Sequence, residues 1–371
     1  MKLRVVSLLF VLLLQAPIRA ADTLPVKLTD EAFWGLIQDL SEPSAAFPGE
    51  NYVSNEPKYV EPLTELLKSS KPGGVYIGVG PEQNFNFIAA TKPKMAFILD
   101  IRGQNALELL MYRGLFEMSP DRATFLSKLF SRPRPANLSD TSSATALMDA
   151  YLKTVEVPSL FEENRNSLGK KLRDDHGFRL TDEDFAAITK IYKIFSQWGA
   201  TTNYASDSAV GARIARGEIN VFPTYAALMT MKDSAGTVMS FLATEESYRF
   251  VREMELNGMV VPITGDFAGP KAMRSIGQYL KDHGAVVSTF YVSNVEAYLL
   301  RTVTAGPAAA INGGWKNYMS NVSTLPIDEH SAFLRWLATQ NPGQIDFIQD
   351  TLRMHEEGRI NAIADLTQNR K

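Results

Sequence analysis

The segment from Gly73 to Arg102 carries the residues best suited to chemistry. An apolar run, Val75 to Val79, contains Gly78 and leads into Gly80, and a second run, Met95 to Leu99, is closed by Asp100. Strand, glycine turn, a helix from Pro81 to about Ala90, strand and terminal acid make up the first half of a nucleotide-binding crevice. There the glycines let backbone approach the ligand, and an acid roughly 20 residues on accepts from ribose hydroxyls. Glu82, Gln83 and Asn84 fall in the first turn of the helix. A carboxylate at that place repels a diphosphate that would otherwise use the bare N–H groups. The third glycine of a dinucleotide fingerprint is also missing. Together these residues predict a ligand with adenosine-like hydroxyls and no pyrophosphate.

Ligands of open α/β sheets bind beyond the carboxyl ends of the strands. That rule selects Gly78, Gly80, Pro81 and Glu82 after the first strand, and Asp100 and Arg102 after the second. It adds Gly265, Asp266 and Phe267 after a strand predicted over Met259 to Thr264, and Asn294 and Glu296 after one over Ala285 to Val292. Asp266 and Glu296 also supply an alternative reading, an extracytoplasmic enzyme with a carboxylate acid and base.

Other chemistries lack their anchors. With no cysteine there is no disulfide, thiolate nucleophile or Cys-held metal. His176, His283, His330 and His355 are scattered without HExxH or paired spacing, so no metal is predicted. Neither a GxSxG elbow nor a GxxxxGK[ST] phosphate loop occurs. Lys and Arg number 38 against 41 Asp and Glu, a net charge of −3 that gives no basic field for nucleic acid.

The elements that must position these residues alternate along the chain. Helices are predicted over Asp30 to Leu40, Tyr59 to Leu67 and Ala106 to Glu117, with another from a Ser119 cap and Pro120 through Leu129. A helical insert spans about 119–199, where Thr181 and Asp184 form a capping-box pattern ahead of an apolar face of Phe185, Ile188, Tyr192 and Phe195. Thr244 caps a later helix, and Pro270 opens one that Gly284 ends. A strand is expected over Tyr318 to Leu325 and a helix over Ser331 to Thr339. This alternation predicts an α/β fold, a mostly parallel sheet with helices on both faces.

At the N-terminus, Lys2 and Arg4 precede an apolar run from Val5 to Leu14, and Ala20-Ala21 offers small residues for cleavage. This is the pattern of a signal peptide over 1–20, too short to span a bilayer. It predicts a periplasmic or secreted protein with no stable membrane anchor once cleaved. The expected organisation is then an N-terminal helical and loop segment over 21–72, an α/β domain over 73–340 with its insert, and a tail over 341–371.

Several long blocks carry a family resemblance: ENYVSNE (Glu50 to Glu56), GGVYIGVGPEQNF (Gly73 to Phe85), FILDIR (Phe97 to Arg102), FPTYAALMT (Phe222 to Thr230), VVPITGDFAGPKAM (Val260 to Met273) and YVSNVEAYL (Tyr291 to Leu299). The chain resembles an uncharacterised bacterial family, known from a Leptospira representative, with a class I S-adenosylmethionine-dependent methyltransferase-like, Rossmann-like fold. The resemblance implies a cofactor loop at Gly78 and Gly80, a ribose-holding acid at Asp100, and S-adenosylmethionine as the possible cofactor. Two positions depart from the methyltransferase pattern, which has an acid where this chain has Tyr76 and a glycine where it has Pro81. Asn55 and Glu56 are candidates to line the same pocket, and Tyr225, Asp266, Asn294 and Glu296 to receive an acceptor. The expected partner is therefore a small molecule. The reading is an exported protein of this fold that binds a small polar or nucleoside-like ligand, with an active methyltransferase as the alternative. Oligomeric state is left open by the sequence.

Overall fold

Six short strands form one sheet in the order β3-β2-β1-β4-β5-β6: β1 (Val75–Gly78), β2 (Met95–Asp100), β3 (Val260–Thr264), β4 (Val287–Ser293), β5 (Ala332–Arg335) and β6 (Gln344–Phe347). The computed structural model describes residues 22–45, 47, 51–69, 72–300, 314–337 and 343–367. The expected leader over 1–20 lies outside them. Among the described residues no helix is long and apolar enough to cross a membrane.

β1 and β2 are buried at every position, as continuous apolar runs at the centre of a parallel sheet must be. Val75 pairs with Met95 and Val287, and Ala96 with Val260, so β1 to β5 all run parallel. Only β6 is antiparallel, pairing Phe333 with Asp346. The chain therefore builds outward from β1 through β2 to β3, then returns to lay β4 against the other side of β1. That reversal opens a crevice at the carboxyl ends of β1 and β4. The α/β class and the mostly parallel sheet are as the sequence predicts.

Between β2 and β3 lie the helix Gly103–Glu117, the helical insert, and the helix Glu245–Leu256. The insert runs further than the spacing indicates, through Tyr225–Met229. It is seated by rings: Phe125 and Phe195 of the insert lie 4.7 Å from Phe116 and 5.8 Å from Tyr112, centroid to centroid, next to a cluster in which Phe85 meets Tyr112, Phe116 and Phe241 at 5.2, 5.2 and 5.5 Å. The Thr181–Asp184 capping box forms in both directions, at 3.1 and 2.9 Å.

Four local expectations are corrected. Gly314–Val322 is a helix rather than a strand, with Trp315, Tyr318, Met319 and Val322 buried at helical spacing. Conversely, Ala332–Arg335 is a strand, its four residues all buried; a short apolar run does not distinguish the two states. The Ser119–Pro120 start gives way to Asp121, whose side chain accepts from the Thr124 N–H at 2.9 Å and caps Arg122–Leu129. Beyond 340 the chain is no loose tail, for β6 joins the sheet and the helix Ile348–Glu356 follows it.

One contact away from the sheet makes stability depend on pH. His176 bridges Asp30 (Nδ1 to Oδ1, 2.9 Å) and Glu117 (Nε2 to Oε1, 2.8 Å). Its hydrogen bond to Glu117, aided by Asp30, holds the imidazolium above its ordinary range. A raised folded-state value means the contribution is complete below about pH 6.5 and is lost as pH rises through the raised value. Denaturation midpoints of wild type and His176→Gln should therefore converge on going from about pH 6 to pH 9, where the imidazole is neutral. A gap that stays constant over that range would refute the assignment.

Candidate ligand-binding site

The two glycines after β1 do different work. Gly80 has φ +78°, left-handed backbone that favours glycine. Gly78 instead yields space: a Cβ there would lie 2.0 Å from Asn84 Oδ1 and 2.7 Å from the Tyr76 ring. Asn84 in turn ties the loop, its Nδ2 donating to the carbonyls of Val79 (3.0 Å), Gly80 (2.9 Å) and Pro81 (2.7 Å) while Tyr76 Oη donates to its Oδ1 at 2.8 Å.

Glu82 precedes the helix Gln83–Thr91 and is fully buried. Its carboxylate accepts from the Ser54 N–H at 3.2 and 3.3 Å, joining the polar segment before β1 to the glycine turn. Burial, with the neighbouring charge of Glu56, pushes Glu82 up to about 8. The Glu82 carboxyl is thus turned to Ser54 and makes no capping hydrogen bond to the helix that follows it.

At the end of β2, Asp100 is gripped by Arg102. The Arg102 backbone N–H and Nε donate to Oδ1 at 2.9 and 3.0 Å, and Nη2 donates to Oδ2 at 2.9 Å. This leaves acceptor capacity on Oδ2. With its amide oxygen turned toward Arg102, Asn51 accepts from Nη2 at 2.8 Å.

Asp100 and Arg102 face a cavity at the β1/β4 reversal. It encloses about 990 Å³ of atom-free space including its open mouth, of which about 150 Å³ can hold the centre of a water molecule. Gly80, Asn55, Asp100, Asp266 and Asn294 all line it, brought from four strand ends and the preceding loop. Phe47, Tyr204 and Tyr298 give it aromatic walls. Asp266 Oδ1 accepts from the Ala268 N–H at 2.9 Å, which fixes its loop beside the cavity.

Glu56 stands behind the wall rather than on it. Its carboxylate accepts from Tyr291 Oη at 2.6 Å and from Ser293 Oγ, and both donors are lining residues. Burial pushes Glu56 up to about 7, against the opposing pull of those two hydroxyls. Gly78 and Glu82 likewise lie beneath the lining.

Two candidates for acceptor chemistry do not reach the cavity. Glu296 is wholly buried and paired with Arg335 (Nε to Oε2, 2.8 Å; Nη2 to Oε1, 3.0 Å), and Tyr318 Oη also donates to it at 3.2 Å. It ties the end of β5 to the helix that follows β4 and, unlike Asp266, does not line the cavity. Tyr225 packs edge-on against Phe130 and Phe195 at centroid distances of 5.6 and 6.3 Å, inside the insert. A strand end identifies the edge of the sheet but not the way each side chain turns.

Sequence reasoning passed over Tyr204, Phe47, Tyr291 and Ser293. Tyr204 belongs to the insert, and nothing local marks it. Ser293 was legible only as part of the polar strand end at Asn294.

The family described as a domain of unknown function (DUF7790) matches residues 52–356. The chain belongs to that family. No curated protein matches it. The matched span of this DUF7790 protein contains the whole sheet and every lining residue except Phe47 and Asn51.

Proposed function

We propose that this protein, carried out of the cytoplasm by its leader, holds a small polar, nucleoside-like ligand in the β1/β4 crevice, with ligand hydroxyls accepted at Asp100. The observation that carries this reading is the convergence of Gly80, Asn55, Asp100, Asp266 and Asn294 on one cavity. The strand order supports it, because doubly wound sheets of this order bind nucleotides where the order reverses. The missing third glycine of a dinucleotide fingerprint argues for a ligand without a pyrophosphate. S-adenosylmethionine fits that description, and its sulfonium charge suits a cavity that offers Asp266 beside the Asp100–Arg102 pair. The resemblance to methyltransferase-like proteins points to the same cofactor. Methyl transfer here would rest on in-line placement of donor and acceptor, the acceptor entering beside Asp266 and Asn294.

Calorimetry with S-adenosylmethionine, S-adenosylhomocysteine and adenosine tests the reading. Micromolar binding is expected, weakened about 30-fold in Asp100→Asn, the equivalent of one lost charge-assisted hydrogen bond of roughly 2 kcal/mol. Absence of binding at millimolar ligand would remove the nucleoside assignment.

A further inference from the structure

Ser293 closes β4 with φ +52°, a left-handed conformation uncommon for serine. The pairing of β4 with β5 slips between Tyr291 and Ser293, and the Trp336 N–H donates to the Ser293 carbonyl at 2.7 Å, which locks the kink. The helix Val295–Leu299 begins two residues later. A hydroxyl is thus carried on a strained strand-to-helix turn at the carboxyl edge of a parallel sheet, on the wall of a cavity. Behind it lies a buried carboxyl, Glu56, that accepts a hydrogen bond from Ser293 Oγ on Oε1 and one from Tyr291 Oη on Oε2. No GxSxG sequence marks this turn; residues from two distant parts of the chain build it.

We propose that Ser293 is a nucleophile and Glu56 its general base, a dyad that acts on an acyl ester or comparable electrophile seated in the cavity. In the forward step a bond forms between Ser293 Oγ and the acyl carbon, the carbon–alkoxide bond breaks, and the Oγ proton passes to Glu56 Oε1. Glu56 returns that proton to the departing alkoxide, and water then releases the acyl group by the reverse path. The charged and titratable groups facing Glu56 are Tyr76 of β1, Glu82 at the head of the following helix, and Tyr291 of β4. In that setting Glu56 changes charge at about 7, close to where a base serves best at neutral pH. The dyad shares the cavity of the proposed ligand but does not require that ligand to be a nucleoside.

Phenylmethylsulfonyl fluoride probes the dyad without knowledge of the natural substrate: an O–S bond forms, the S–F bond breaks, fluoride leaves, and Glu56 keeps the proton. Intact-mass and peptide analysis of the full protein should show one label, on Ser293, at a rate that rises with pH about a midpoint near 7. Ser293→Gly, which suits the positive φ, should take no label. Glu56→Gln, which keeps shape and an acceptor, should label about 100-fold more slowly and without that pH dependence. Tyr291→Phe should keep the label but move the midpoint upward, because the Tyr291 hydroxyl pulls Glu56 down; an unmoved midpoint would count against Glu56 as the titrating base. No label, a label elsewhere, a pH-independent wild-type rate, or an unchanged rate in folded Glu56→Gln would overturn the dyad. Saturating S-adenosylhomocysteine separates the two readings: protection supports both, whereas labelling that it does not slow counts against the nucleoside ligand and leaves the dyad standing.

Discussion

Arg335→Met should lower the free energy of unfolding by about 3–5 kcal/mol, the range for removing one partner of a buried ion pair. Glu296 is 0% and Arg335 1% exposed, so the carboxylate left behind has no water to take the place of the guanidinium. Asp346, which accepts from Arg335 Nη1 at 3.0 Å, loses its cationic partner at the same time and keeps the Gln344 amide. Pairing the change with Glu296→Leu should recover a large part of the loss, because the interior then holds no unpaired charge at that point. Urea denaturation of the single and double variants measures both effects. A single-variant loss under about 1 kcal/mol would mean that water reaches Glu296 and that the pair does not anchor β5.

Gly78→Ala should cost about 2–3 kcal/mol and also loosen ligand binding, for the reason that overpacking a closed site does. The new methyl group would lie 2.0 Å from Asn84 Oδ1, a separation no packed structure tolerates. Asn84 must then move, releasing the three carbonyls of Val79, Gly80 and Pro81 that its amide holds. Since Gly80 and Pro81 line the cavity, the defect propagates to the site. Chemical denaturation together with ligand calorimetry reads the two consequences. Full stability and unaltered binding in Gly78→Ala would show that the turn is slack and that Asn84 is not its tie.

Much of the scaffold was legible because it depends on neighbours in the chain. Continuous apolar runs marked β1 and β2; Thr181 and Asp184, three residues apart, marked a helix start that forms as expected. The polar strand ends at Gly80, Asp100, Asp266 and Asn294 were legible for the same reason, and all four reach one cavity. The exchanged helix and strand near the C-terminus failed where a short apolar run fits both periods, and where a buried arginine, Arg335, masked a central strand.

The sequence by itself determined the alternation of elements, the glycine turn and the acid at the end of the second strand, since each follows from backbone sterics and hydrophobic period within a few residues. Tertiary structure decided which carboxylates meet the cavity and which are locked away. Glu56 takes its proton donor from Tyr291, 235 residues on, while Glu296 is claimed by Arg335, 39 residues on. A carboxylate's role is set by the partner and the dielectric that surround it, and both come from segments that only the folded chain brings together.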